Sequence, residues 1–269
     1  MDRSRTGGWI GVLAIAAALG MVSTKPSAQS LGSVEQIAPT GRLRAALVKL
    51  PFLAKPDRAN GRLTGVAPEL VEEFAQRLGV PLEPLAFDAP NAAIAALREG
   101  AADIAILAPT RERAAVIDFG PPLMDMEMTL MVPGASPITS LAQADERGRR
   151  IVVYERTAAE EALKKKMTKV TVVRVPLFAS KRAFALIKAG KADAFAGLRA
   201  VLVADQPELP GARILPGSFG SSALAIGYAK DRAATAVFVK DFTRSVTASG
   251  FVAGAIEKAA LQGVTVPGE

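Results

Sequence analysis

Short apolar runs alternate with longer segments of helical periodicity from residue 42 to about residue 261. This alternation is typical of an α/β fold, in which strands form a sheet and the helices between them cover it. In the first helical segment, Leu70, Phe74 and Leu78 fall on one face, and Gly79 ends the helix. The predicted strands are Arg42–Val48, Asp103–Leu107, Arg150–Tyr154, Asp193–Ala196 and Ser222–Tyr228. The predicted helices are Ala67–Leu78, Asn91–Glu99, a helix opened by a capping box from Thr157 to Glu160, Ser180–Ala189, Ala233–Ser249 and Val252–Leu261.

Two segments share one pattern of an apolar residue, a basic residue, a variable residue, Gly, a variable residue, Ala and Asp. They are Leu97–Asp103 (LREGAAD) and Ile187–Asp193 (IKAGKAD), and they lie 90 residues apart. That spacing suits two domains of one topology, although any junction of helix, glycine and strand looks similar, because glycine suits the end of a helix.

The last two predicted helices have no strand between them, so this tail can return to the first domain. The chain would then cross twice and form a hinge, and a crevice between hinged domains commonly binds a small ligand.

The composition excludes several classes of chemistry. The 269-residue chain contains neither cysteine nor histidine, which excludes thiol and Ser-His nucleophiles, Cys/His zinc sites and disulfides. We expect no metal and no cofactor. One Trp and two Tyr leave little for stacking on bases, and the formal net charge of +7 is scattered apart from Lys164–Lys166, so we expect no nucleic-acid partner.

The first residues have the pattern of an export signal. Arg3 and Arg5 precede an uncharged run from Trp9 to Val22, which is short for a bilayer span of about 20 residues. We predict a signal peptide over residues 1–28, and the alternative is an uncleaved N-terminal anchor. Both place the rest of the chain outside the cytoplasm, and the signal peptide predicts a periplasmic protein.

Several blocks between Gly41 and Val264 match motifs of one known family. Residues 61–71 read GRLTGVAPELV and residues 74–80 read FAQRLGV. Residues 110–113 read TRER, and residues 50–52 (LPF) are similar to the end of a Tyr-Pro-Pro-Phe turn. Together with the LREGAAD segment, these blocks resemble the family 3 extracellular solute-binding proteins, the receptors of polar amino-acid ABC importers.

The resemblance implies the two-lobe α/β fold of type II periplasmic binding proteins, with lobes joined by two hinge strands. Lobe 1 would comprise residues 39–126 and 222–269, and lobe 2 residues 127–221. The resemblance also implies a monomeric binding protein rather than an enzyme. Such a protein captures a small carboxylate-bearing solute (an amino acid, an amino-acid derivative or an organic acid) by hinge closure and delivers it to the ABC permease of the inner membrane.

The resemblance also indicates which residues would contact the solute. Arg113 corresponds to the arginine with which family members hold the ligand carboxylate, and a guanidinium offers paired donors to a planar carboxylate. Without the resemblance, Arg113 would be a helix-surface residue paired with Glu112 or Asp118. Thr110 and Thr157 would contact the carboxylate from opposite sides, although both also suit helix N-caps.

Other positions depart from the family pattern. The aspartate that binds the ligand ammonium in family members falls at Leu198, and the glycine and second threonine of the lobe 2 turn are Arg156 and Ala158. The first aromatic residue of the Tyr-Pro-Pro-Phe turn is Lys49, while Phe52 would either form a wall of the pocket or belong to the core. The cleft would lose an acidic group and gain Arg156 and Lys49. This favours a small carboxylate or another anion, because an unpaired ammonium is costly to desolvate.

An enzyme is the alternative function, since a few relatives of this family are periplasmic cyclohexadienyl dehydratases. The general acid would then be Glu155 or Glu160. However, Glu160 also completes the capping box, and Glu155 can pair with Arg156. A sensor input domain that acts on a membrane partner is a third hypothesis.

Overall fold

A sheet of ten strands runs through the computed structural model, which describes residues 34–268. The strands are β1 (Leu43–Val48), β2 (Lys55–Pro56), β3 (Leu63–Thr64), β4 (Leu82–Phe87), β5 (Ile104–Leu107), β6 (Asp118–Val132), β7 (Arg150–Tyr154), β8 (Thr171–Val175), β9 (Ala194–Leu198), β10 (Arg213–Ile214), β11 (Gly220–Tyr228) and β12 (Val264–Thr265). The order across the sheet is β4-β1-β5-β11-β6-β9-β7-β8, and β10 and β12 also pair with β6. Strands β2 and β3 form a separate hairpin.

Helices connect the strands and cover the sheet. From the first strand onward they are α1 (Val66–Leu78), α2 (Pro90–Arg98), α3 (Arg111–Ala114), α4 (Leu141–Ala144), α5 (Ala158–Lys166), α6 (Ser180–Lys188), α7 (Arg199–Asp205), α8 (Ala233–Ala248) and α9 (Phe251–Lys258). Each predicted strand and helix is present, with ends shifted by no more than three residues. Strands β4, β6 and β8 and helix α7 were not predicted, and in the 15-residue β6 Pro121 and Pro122 interrupt the pattern.

The two segments with the shared LREGAAD-like pattern have the same geometry. The Asp103 carboxylate accepts a hydrogen bond from the backbone N–H of Arg44 at 2.8 Å and forms an ion pair with its guanidinium. The Asp193 carboxylate does the same with Arg150, again at 2.8 Å from the backbone nitrogen. The glycine three residues before each aspartate has a positive φ, 70° and 63°. Each aspartate therefore ties the start of one parallel strand to its neighbour.

Two strands cross between the halves of the molecule. We call the half around β1, β4 and β5 the first lobe and the half around β7, β8 and β9 the second lobe. Strand β6 pairs with β11 along its first part and with β9 from Met128 to Met131. Strand β11 in turn pairs with β5. The predicted lobe boundary at residues 126 and 127 falls inside β6, and the exact boundary stays a prediction.

Each lobe has its own apolar core. The side chains of β1 alternate between two buried clusters, as do those of β7, so both faces of each part of the sheet are covered. The C-terminal helices return to the first lobe, where α8 packs on α1 and the rings of Phe74 and Phe242 meet edge-to-face with centroids 4.8 Å apart. The double crossing expected from the sequence is therefore present.

The described part of the chain contains no helix with the length and apolar character needed to cross a bilayer. The predicted signal peptide, residues 1–28, lies outside the described residues.

Candidate functional site

A cavity of about 170 Å³, which we call the inner cavity, lies between the two lobes. It is formed where parallel strands of both lobes reach their carboxyl ends: the segments after β1 and β5 in the first lobe, and those after β7, β8 and β9 in the second. Ser222 and Leu224 of the crossing strand β11 also line it. Loops at the carboxyl ends of parallel strands are the common place for a ligand in α/β proteins.

A second cavity of about 460 Å³, the outer cavity, adjoins the inner one. Thr110, Arg113 and Arg156 line both cavities, which therefore form one cleft. Glu112 and Glu155 line the outer cavity only. Among the described residues, acidic side chains therefore line the cleft only in its outer cavity, where Arg98 also lies.

Arg113 of α3 is half-buried in the wall of this cleft. Its guanidinium donates a hydrogen bond to the Ala108 carbonyl at 3.0 Å. Within residues 34–268 it forms no ion pair, and Asp118, one of the alternative partners, instead pairs with Lys230. Burial lowers the pKa of Arg113, and the Glu112 charge only partly opposes this effect. A partly desolvated cation without a carboxylate partner faces the cleft, which is the electrostatic requirement for binding an anion.

The two threonines lie at the cleft and also cap helices. The Thr110 hydroxyl accepts a hydrogen bond from the Arg113 backbone N–H at 3.4 Å, which leaves its proton available to the cavity. The Thr157 hydroxyl accepts from the backbone N–H of Glu160 at 3.2 Å and donates to the Tyr154 carbonyl at 2.8 Å. Of the two threonines, Thr110 can therefore donate its hydroxyl proton to a ligand without breaking a hydrogen bond, and Thr157 cannot.

The remaining predicted residues have different positions. Phe52 is buried and lines the inner cavity, so it is both a wall and part of the core. Arg156 lines the cleft with its side chain 84% exposed, and its guanidinium lies 3.8 Å from the Glu155 carboxylate. The structure does not bring Lys49 into the cleft lining, and its ammonium forms an ion pair with Asp88 at 2.5 Å.

Leu198, at the end of β9, stands where family members have an aspartate, and it forms part of the wall of the inner cavity. None of the residues that line the inner cavity within the described chain is acidic. The polar side chains there are hydroxyls and the two guanidiniums, and the rest of the wall is apolar.

The two carboxylates considered as general acids differ in position. Glu160, in the first turn of α5, is buried and does not line the cleft. Burial alone would raise its pKa, but hydrogen bonds from Lys164, Arg174 and the Arg156 backbone together lower it to about 2. Such a group is ionised at neutral pH and holds no proton to donate. Glu155 lines the outer cavity beside Arg156.

An apolar pair in the second lobe was missed by the sequence analysis. Leu177 and Phe178, in the loop between β8 and α6, line the inner cavity although they are 41% and 49% exposed. Val116, 38% exposed, lines the outer cavity. Phe178 has a φ of 64°, a left-handed conformation that is costly for a bulky residue. The sequence signal was available: two large apolar residues follow Pro176 in a loop.

Metal ligands are not grouped in the described residues: no cluster of three or more Asp, Glu, His or Cys side chains there could hold a metal ion.

The chain matches the family model of bacterial extracellular solute-binding proteins, family 3, over residues 50–258. A mutant of ArgBP from T. maritima is 26% identical with a TM-score of 0.67, covering 85% of this chain and 99% of that one. A solute receptor for L-cysteine of Neisseria gonorrhoeae is also 26% identical with a TM-score of 0.67, covering 84% and 92%. The ancestral amino acid-binding protein AncCDT-1, a precursor of cyclohexadienyl dehydratase, is 23% identical with a TM-score of 0.66, covering 84% and 98%, and shares the fold. Among curated proteins, no sequence matches this chain.

The family model covers well over half of the chain, and the structural neighbours are amino-acid-binding proteins of the same fold. The predicted two-lobe type II periplasmic binding fold is thereby confirmed. The chain belongs to the family 3 bacterial extracellular solute-binding proteins.

Proposed function

We propose that this protein is a periplasmic receptor that captures a small carboxylate-bearing solute between its lobes and delivers it to an ABC permease. The observation that carries the proposal is Arg113, a half-buried guanidinium that faces the cleft without an ion-pair partner among residues 34–268. A ligand carboxylate would supply the missing charge and accept paired hydrogen bonds. The Thr110 hydroxyl, whose proton is available, would add a further donor.

Groups from both lobes surround the site, which supports capture by hinge closure. Arg113 and Thr110 belong to the first lobe, while Arg156 and Thr157 belong to the second. A ligand that contacts both lobes binds the closed form more tightly than the open form, and this difference in affinity shifts the equilibrium towards closure. Arg156 is mostly exposed, so closure would bring its charge towards the bound anion.

Titration calorimetry of the purified protein with small organic acids and amino acids tests the proposal. Loss of a charge-assisted hydrogen bond costs about 1.5–3 kcal/mol, which corresponds to a roughly 10- to 150-fold weaker Kd. We expect Arg113→Gln to weaken binding in this range. Arg111→Gln is the matched control, because this exposed arginine of the same helix does not line the cleft. Unchanged binding by Arg113→Gln would refute the proposed site.

We propose further that the protein binds without catalysis. Glu160 is ionised and does not line the cleft, and the Glu155 carboxylate in the outer cavity lies 3.8 Å from the Arg156 guanidinium. An absorbance assay with prephenate and arogenate tests this point. Consumption of either compound that is lost in Glu155→Gln would establish the dehydratase function instead.

A further inference from the structure

The charge of the inner cavity restricts the ligand more closely than the proposed function does. Arg113 and Arg156 line the cavity, and no acidic side chain does so within the described residues. The two carboxylates of the cleft, Glu112 and Glu155, lie in the outer cavity. An α-ammonium that enters the inner cavity next to a carboxylate held by Arg113 would therefore lose water without gaining an opposite charge.

The walls of the inner cavity are suited to hydrocarbon. Leu50, Phe52 and Met126 line it together with Leu198 and Leu224. The volume of about 170 Å³ lies below the roughly 300–1,000 Å³ of pockets for drug-sized ligands, so a ligand that the inner cavity encloses is small. A second carboxylate on the ligand would have only Arg156 as a further cation in this cavity, and that side chain is 84% exposed; elsewhere it would lie against apolar side chains, which is unfavourable.

Apolar side chains also border the entrance from the second lobe. Leu177 and Phe178 are half-exposed, and both line the inner cavity. Burial of exposed apolar surface on closure is favourable in proportion to its area. The left-handed φ of 64° at Phe178 holds this ring at the cleft although the conformation is unfavourable for a bulky residue, a feature that is concentrated at functional sites.

We infer that the ligand is a small apolar monocarboxylate without an ammonium group, of the class of branched-chain or aryl-substituted short carboxylic acids. This inference rests on the proposed function and deepens it. The carboxylate lies at Arg113, and the hydrocarbon part contacts Phe52 and Leu198. Phe178 covers it from the second lobe on closure.

Two ligand pairs that differ only in the ammonium group test the inference by titration calorimetry at pH 7. They are 4-methylpentanoate with L-leucine, and 3-phenylpropanoate with L-phenylalanine. We expect the acid of at least one pair to bind 10-fold or more tightly than its amino acid, and glutarate, with its second carboxylate, to bind more weakly than that acid. Equal or tighter binding of both amino acids, or no binding by any of the four compounds, would overturn the inference.

Variants separate failure of the inference from failure of the proposed function. If Arg113→Gln weakens binding of the amino acids and the acids alike, while the amino acids bind more tightly, the site stands and the ligand class is wrong. If Arg113→Gln has no effect on any bound compound, the proposed function fails as well. Leu198→Asp would place a carboxylate beside the ligand, and we expect it to improve L-leucine binding relative to 4-methylpentanoate by 10-fold or more. Leu198→Asn is the uncharged control and should not do so.

Discussion

The Glu160 carboxylate interacts with three groups near the cleft, and removal of its charge should destabilise the second lobe. It accepts a hydrogen bond from the Arg156 backbone N–H at 2.8 Å and ion-pairs with Arg174 and Lys164, each at 2.5 Å. It therefore holds the start of α5, where Thr157 and Arg156 border the ligand site. Glu160→Gln keeps the size of the side chain and removes its charge.

The magnitude follows from the lowered pKa. Each pKa unit is worth about 1.36 kcal/mol, so lowering from the ordinary 4.5 to about 2 corresponds to roughly 3 kcal/mol at neutral pH. The side chains of Lys164 and Arg174 are 46% and 50% exposed, and screening by solvent reduces the expected contribution to about 1–2 kcal/mol. Because the pKa is lower in the folded state, this stability is present above about pH 4.5 and is lost as the pH falls towards 2.

Urea unfolding followed by circular dichroism, at several pH values from 7 to 2.5, measures this contribution. We expect Glu160→Gln to lower the free energy of unfolding by about 1–2 kcal/mol at pH 7, and the difference from the unsubstituted protein to shrink as the pH falls. Glu161→Gln, an exposed neighbour on the same helix, should change the free energy by less than about 0.5 kcal/mol. A Glu160→Gln difference that stays constant down to pH 2.5 would show that the ion pairs do not supply the stability.

Three further predictions, which use five substitutions, test other parts of the structure. Asp103→Asn should lower the free energy of unfolding by about 2–3 kcal/mol and Asp193→Asn by about 1 kcal/mol. The reason is that the Asp103 side chain is 5% exposed and the Asp193 side chain 25%. Equal losses of the two variants in urea unfolding would contradict this reasoning. Gly263→Ala should cost about 1–3 kcal/mol, since its φ is 67° and a Cβ would lie 2.6 Å from an arginine side chain at the start of α7. In α9, a Cβ at Gly254 would have no atom within 4 Å, so Gly254→Ala should instead stabilise the protein by about 0.5–1 kcal/mol. Equal melting temperatures of the Gly263→Ala and Gly254→Ala variants would refute the packing argument. Phe178→Gly should relieve the unfavourable φ and leave the melting temperature unchanged or higher. The same substitution should weaken binding of an apolar carboxylate by about 10-fold. An unchanged affinity in calorimetry would show that the Phe178 ring does not contact the ligand.

The elements of the fold could be predicted well from the sequence because their signals are local. Helical periodicity, a glycine at a helix end and a capping box act within a few residues of each other. Strand β6 escaped prediction because its pattern contains Pro121 and Pro122, which reduce a strand signal when read alone. Its pairing with β9, β11 and the short strands β10 and β12 supports it in the folded protein.

The candidate site was predicted in part. The structure brings Arg113, Thr110, Thr157, Phe52 and Arg156 to one cleft, and their roles in binding stay a prediction. It places another residue, Lys49, elsewhere, since the Asp88 carboxylate after β4 pairs with its ammonium. That partner lies 39 positions further along the chain, and only the parallel pairing of β1 with β4 brings the two together.

The sequence by itself determined most of the helices and that two similar units are present, because these depend on patterns among neighbouring residues, and the family resemblance supplied Arg113 as the candidate for an anion site. Only the tertiary structure decided what surrounds that cation. The lack of acidic side chains in the described lining of the inner cavity, and the position of Leu177 and Phe178 opposite the first lobe, depend on how the two lobes face each other across the crossing strands. Burial and charge pairing between residues distant in the chain are properties of that arrangement, and no local pattern contains them.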